Sequence, residues 1–205
     1  MLAISEGYIN WRLEFMKGYS VLRVVILLGL SACQTLPPVH DVRFVTHADG
    51  TVTDRQRGLM WMRCSLGQQW DGHHCIGAAQ RFTWPQVAAA AQAQQFAGYQ
   101  DWRAPTVDEL SGLVYCSAGQ GPLQMPEGRF QRATTGQCLG DAYQQPTIAL
   151  HIFPATAADW YWTGSAYAPH ARDAWGVSFA KGNVSWGVKG NESYLRLVRT
   201  IPVTP

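Results

Sequence analysis

Apolar residues in this chain recur with two different spacings. Late in the sequence the repeat is two. Trp175, Val177 and Phe179 share one side of an extended segment, Gly182-Asn183 supplies a turn, and Val184, Trp186 and Val188 alternate on the return. This predicts a hairpin with one apolar face. Asp159 to Ser165 precedes it as an aromatic strand, and Tyr194 to Arg199 follows as the last one. Near the start, Phe44-Val45 and Gly58 to Arg63 also read as strands. Between them, Asp49-Gly50 is a hairpin signal, because both residue types tolerate positive φ.

Between residues 83 and 114 the repeat changes to three and four. Thr83, Pro85 and Gln86 form a helix start with a capping box, and Trp84, Val87, Ala88 and Ala91 fall on one face. The helix is expected to run to about Phe96, with Gly98 as its stop. Pro105 keeps Ala104 out of helical geometry, and Thr106 to Glu109 is a second capping box. Leu110, Leu113 and Val114 supply that helix's apolar face. Residues 116–146 are rich in Gly, Gln and Pro without periodicity and read as one long loop. Two helices early and an antiparallel sheet late make the fold class α+β.

The segment before these elements belongs to export, not to the fold. Lys17 and Arg23 precede a short apolar run that ends in Leu30-Ser31-Ala32-Cys33, the lipobox pattern of a bacterial lipoprotein. The run is far below the roughly 20 residues that span a bilayer. The expectation is cleavage before Cys33, lipidation of that cysteine and outer-membrane sorting, with membrane attachment by lipid. Residues 1–33 are then leader (1–15 an upstream extension or mis-called start), 34–43 a tether and 44–200 a single domain. Past Cys33 the chain carries 13 Lys and Arg against 12 Asp and Glu. That balance argues against a nucleic-acid partner and against charge-driven membrane binding.

Four cysteines remain: Cys64, Cys75, Cys116 and Cys138. In an exported chain an even number points to two disulfides. Three pairings are possible, and the sequence-local one, Cys64–Cys75 with Cys116–Cys138, is favoured. The rival is a zinc site from Cys64, His73, His74 and Cys75. Its spacing fits no zinc pattern, and adjacent His-His-Cys converges poorly on one tetrahedral ion.

An ordered set of motifs now stands out: Thr53-Asp54 with Gly58-Leu59-Met60-Trp61; Phe96-Ala97-Gly98-Tyr99 with Asp101-Trp102-Arg103-Ala104-Pro105-Thr106; Trp160-Tyr161-Trp162-Thr163-Gly164-Ser165; Ala174-Trp175-Gly176; and Arg196-Leu197-Val198-Arg199. From about Phe44 to Arg199 the chain resembles the C-terminal domain of the Legionella collagen-like adhesin, a widespread bacterial domain family. The resemblance implies a C-type-lectin-like fold of the subtype related to the formylglycine-generating enzyme. It also implies extracellular ligand binding, with glycosaminoglycan-type glycans the best-known case. The chain departs from that pattern in lacking a collagen-like Gly-X-Y region and in carrying the long 116–138 loop.

Trp160 and Trp162 share one strand face. They are read as core first and as sugar-stacking platforms second. Asp101, Trp102 and Arg103 read as structural, with Arg103 forked onto Asp101 or backbone carbonyls and Trp102 beneath the second helix. Arg196 and Arg199 read as structural ion pairs. The expected ligand surface is the late loop system: Tyr167, His170, Arg172, Asp173, Lys181, Asn183, Trp186, Lys189, Asn191 and Tyr194, a mix suited to polar recognition. No catalytic constellation is recognisable, and no cysteine follows Cys138 to support formylglycine-type oxidase chemistry. The Glu-Pro-Asn and Trp-Asn-Asp triplets of calcium-dependent lectins are missing, though loop carboxylates could hold a structural calcium ion. No other cofactor is expected. The functional expectation is a non-enzymatic, lipid-anchored envelope protein that recognises a glycan or a protein. A structural accessory lipoprotein comes second and an oxidase third.

Overall fold

The computed structural model describes residues 43–118, 138 and 142–202. Cys33, the leader and most of the 116–146 stretch lie outside the described residues. The chain divides into Met1–Pro38 and Val39–Pro205, and everything below concerns the second unit.

The fold is mixed α+β, with two short helices and four antiparallel sheets among the described residues. β1 (Phe44–Thr46), β2 (Thr51–Asp54), β3 (Leu59–Met62) and β11 (Val198–Thr200) form one sheet in the order β1-β2-β3-β11. The early and late ends of the domain therefore share a sheet. The β1–β2 turn forms where Asp49-Gly50 predicts it, but is one residue longer than a two-residue hairpin. His47 N donates to Thr51 O, and only Gly50 takes positive φ, at 83°. Asp49 stays at negative φ because its carboxylate accepts from both Thr51 N (2.9 Å) and Thr51 Oγ1 (2.7 Å).

β4 (Gln69–Trp70) and β5 (Cys75–Ile76) make a small hairpin inside the Cys64–Cys75 disulfide. The second disulfide joins Cys116 to Cys138, which gives the pairing favoured from sequence. With Cys64 and Cys75 bonded to each other, the alternative zinc site loses both its thiolates.

β6 (Phe82–Thr83) leads into α1 (Trp84–Gln92), and α2 (Val107–Ser111) follows. Gln86 Oε1 closes onto Thr83 N at 2.8 Å, as the capping box predicts. α1 stops short of Phe96. Residues 96–99 instead close a tight turn, in which Phe96 and Tyr99 exchange backbone hydrogen bonds and Ala97 and Gly98 both take positive φ. Gly98 therefore serves that turn rather than the helix end. The turn sets Phe96 and Tyr99 on either side of Trp102, with ring centroids at 6.0 and 6.5 Å. Trp102 is buried with Val87 and Ala91 of α1, not beneath α2 as expected. Arg103 reaches a backbone carbonyl, Ala104 O at 3.3 Å, as one of its two expected partners, but not Asp101. It leaves Asp101 to Arg199 (2.7 Å) and forks onto Glu109.

β7 (Trp160–Ala166), β8 (Asp173–Ser178) and β9 (Asn183–Val188) form a three-stranded antiparallel sheet. The period-two reading holds here. Tyr161, Trp175, Val177 and Val184 pack into one core cluster, with Val107 and Leu110 of α2 and Trp61 of β3. Trp162 and Ala174 face the other cluster, with Val87 and Ala91 of α1. The sheet is thus the partition between two cores, and each helix covers one of its faces.

The expected final strand, Tyr194 to Arg199, is broken. β10 (Glu192–Ser193) pairs with β6, and only Val198–Thr200 joins the first sheet. Between them, the carbonyls of Leu195 and Leu197 take the amides of Leu66 and Met62 at 2.8 and 3.1 Å. Arg196 sits in this break, fully buried. Its guanidinium donates to the carbonyls of Met62 and Arg63 and to Thr156 Oγ1 (2.7 Å), and it lies 4.9 Å over the Phe153 ring. It makes no ion pair among the described residues, contrary to expectation. Burial pushes its pKa down to about 10.

Candidate functional site

The α1-side face of the three-stranded sheet continues into an open groove of about 640 Å³. Strand register explains its shape. Trp162 pairs with Gly176, Gly176 with Ser185, and Ala174 with Gly187, so this face presents large residues on β7 and small ones on β8 and β9. A Cβ on Gly176 would fall on the Trp160 indole, so the indole occupies the space that glycine leaves free. Trp160 is half-buried and lines the groove, whereas Trp162 is fully buried and donates its indole N–H to Phe82 O at 3.0 Å. Asn183, Ser185 and Gly187 line the groove from β9, and Asn191 and Glu192 from the segment that follows.

The rim carries fixed charge. Arg81 donates to Asp159 Oδ2 at 2.5 Å, and its guanidinium lies 4.3 Å over the Tyr194 ring. The bond to Asp159 raises the Arg81 pKa above its ordinary value, so this cation is permanent. Both partners are more than a third exposed, so the pair adds little to stability. Asp159 and Glu192 together outnumber the one groove cation. The chemistry on offer is therefore an aromatic face, amides, a hydroxyl and both signs of charge, which suits a polar ligand with ring surfaces.

The residues expected from sequence divide over both sides of the sheet. Asn183 and Asn191 line the groove, Trp186 borders it while its indole stacks on Tyr167 against the other core, and Tyr194 lies beneath Arg81. Tyr167 and His170 are elsewhere. Tyr167 stacks on Trp186 at 5.5 Å and 18°, meets Trp175 edge-on at 5.0 Å, and touches His170 at 5.7 Å. Asp173 is not a loop residue at the surface. It opens β8, is fully buried, and neither carboxylate oxygen has a hydrogen-bond partner among the described residues. Exposed Arg172 comes no nearer than 3.9 Å. Lys189 donates to Ala171 O at 2.6 Å and lies 4.4 Å over Trp84. Lys181 is exposed beyond the end of β8, where its carbonyl accepts from Cys138 N.

Arg81, Asp159, Ser185 and Glu192 escaped sequence reasoning. Arg81 lies just before a helix cap and Asp159 just before a strand, positions with ordinary structural explanations. Only the β6–β10 pairing brings Arg81 beside Glu192. No signal short of that pairing would have found them. Among the described residues, no three His, Cys, Asp or Glu side chains gather to hold a metal ion.

No curated protein and no solved structure matches the chain. The model of the Lcl C-terminal domain does, over residues 50–199, which reach from the β1–β2 turn to β11 and include every element lining the groove. The chain therefore belongs to the Lcl C-terminal domain family.

Proposed function

We propose that this domain is a non-enzymatic recognition module that binds a glycan through the groove over Trp160. The observation that carries the reading is the half-buried Trp160 indole in a groove whose other walls are Asn183, Ser185, Asn191 and the Arg81–Asp159 pair. An aromatic face flanked by amides and charge complements a sugar ring, which has an apolar face and a polar edge. The pairing of early and late strands in one sheet, with a stapled loop region between, agrees with a C-type-lectin-like fold. In this reading Cys33 carries the lipid that holds the module on the outer membrane.

A glycan array probed with the full chain tests the proposal. Specific binding that Ser185→Trp abolishes, with an unchanged melting temperature, supports it. A blank array, with an envelope protein co-purifying instead, favours the accessory-lipoprotein reading. The anchor is tested separately: Cys33→Ser should move the protein from the membrane fraction to the soluble one.

A further inference from the structure

A second groove, of about 510 Å³, lies beside the Cys64–Cys75 loop and shares no lining residue with the first. No residue lining it is charged. Five of them are glutamines, Gln68, Gln69, Gln80, Gln94 and Gln95, brought together from β4, the stretch before β6 and the end of α1. Two aromatic residues, Trp70 and Phe96, complete the walls.

The aromatic walls are held in place. Trp70 donates its indole N–H to Ala48 O at 2.9 Å and carries the Arg63 guanidinium 4.4 Å over its ring. It also packs so closely on Gly50 that a Cβ there would come within 2.5 Å of the indole. Phe96 is fixed by the 96–99 turn and by Trp102. The amides are less committed. Gln68 accepts from Ser65 N and donates to Gly77 O, and Gln94 donates to Ala90 O, which leaves the Gln94 oxygen open. Gln69, Gln80 and Gln95 are exposed, and their side chains make no hydrogen bond among the described residues.

We infer that this groove is a separate binding site for an uncharged, hydroxyl-rich ligand, a neutral oligosaccharide. Each free amide offers two donors and an acceptor, which matches neighbouring hydroxyls that both give and accept hydrogen bonds. Phe96, and the part of Trp70 left open by Arg63 and Gly50, add apolar contact for ring faces. No charged residue lines the groove, and the Arg63 guanidinium over Trp70 is engaged on the carbonyls of Ile152 and His151, so an ionic ligand finds no free partner to offset its desolvation. Gln80 and Arg81 are adjacent, so the two grooves flank one short segment. The inference does not depend on what the Arg81 groove binds.

The test uses the full chain, amide NMR, and two probes: a neutral hexasaccharide of glucose and a heparin hexasaccharide. The neutral probe should shift resonances of Gln69, Gln80, Gln95 and the Trp70 indole, with an affinity that moves less than about twofold between 50 and 500 mM salt. The double change Gln69→Ala and Gln95→Ala, at exposed positions that leave the melting temperature unchanged, should weaken it about tenfold. Arg81→Ala should leave it unaltered. Two results would overturn the inference: no shift at these residues with the neutral probe, or shifts there with heparin alone.

Discussion

Arg103 and Glu109 face each other through two hydrogen bonds, 2.8 and 2.7 Å long, while Glu109 also accepts from Thr106 N at 2.7 Å. One carboxylate thus closes the α2 capping box and receives a bidentate guanidinium. Burial alone would raise the Glu109 pKa. The bonds to Arg103 and Thr106 outweigh it and leave the acid below its ordinary value of 4.5. A depressed acid contributes stability that is complete above 4.5 and lost as pH falls through the lower folded value. Glu109→Gln should cost about 1 kcal/mol near neutral pH, a modest figure because Arg103 is partly solvated. Urea unfolding at pH 6 and pH 3 should show the gap between the two proteins closing in acid. A gap that is constant with pH would refute the assignment.

Arg196 is a buried cation held by neutral acceptors through its two terminal nitrogens, while its Nε has no hydrogen-bond partner among the described residues. Arg196→Ala strips bonds from two carbonyls and from Thr156 at once. It should lower stability by about 3 kcal/mol or more, measured as a fall in the urea midpoint. Arg196→Met restores much of the volume and none of the bonds. If that variant equals the original chain, the bonds contribute nothing net.

Gly176 and Gly190 form a matched pair. Gly176→Ala drives a methyl group into Trp160 and should cost about 1–3 kcal/mol. Gly190→Ala meets open space and should change stability by less than about 0.5 kcal/mol. Equal melting temperatures for the two variants would mean that Trp160 is not held where β8 leaves room for it.

Asp173 buries a carboxylate that has no hydrogen-bond partner among the described residues. Removing its charge while keeping its shape should help the fold. Asp173→Asn is expected to raise stability by about 1 kcal/mol at neutral pH. A loss of similar size would mean that the oxygens hold a partner, and calorimetry with added calcium would then show whether it is a cation.

The Cys64–Cys75 bridge closes a loop with a sequence separation of 11, and Cys116–Cys138 one of 22. Replacing either pair by serine should cost roughly 3 kcal/mol in the chain-entropy view. Non-reducing digestion should yield two cross-linked peptide pairs, and alternative pairs would reject this connectivity.

Periodicity and caps made much of the frame legible. The Trp175–Val177 and Val184–Trp186 alternation marked both strands of the late hairpin, and the two capping boxes marked both helix starts. These signals are local, so short windows of sequence carry them. What failed was non-local. Asp101 went to Arg199 across the domain, which left Arg103 to fork onto Glu109 in the first turn of α2. The final strand is broken around Arg196, whose guanidinium takes the carbonyls of Met62 and Arg63 from the other end of the sequence, a pairing no short window carries. The groove eluded prediction for the same reason: Arg81 and Glu192 meet only through β6–β10 pairing.

Because β1, β2 and β3 share a sheet with β11, the frame is clasped by its own extremities. Whatever lies between Cys116 and Cys138 is then cargo on a closed chassis. Insertions there lengthen a loop already stapled at its base, and each doubling of loop length costs only about 0.6 kcal/mol in closure entropy. None of the strands among the described residues lies within that interval, so natural variation can lengthen it without disturbing their register.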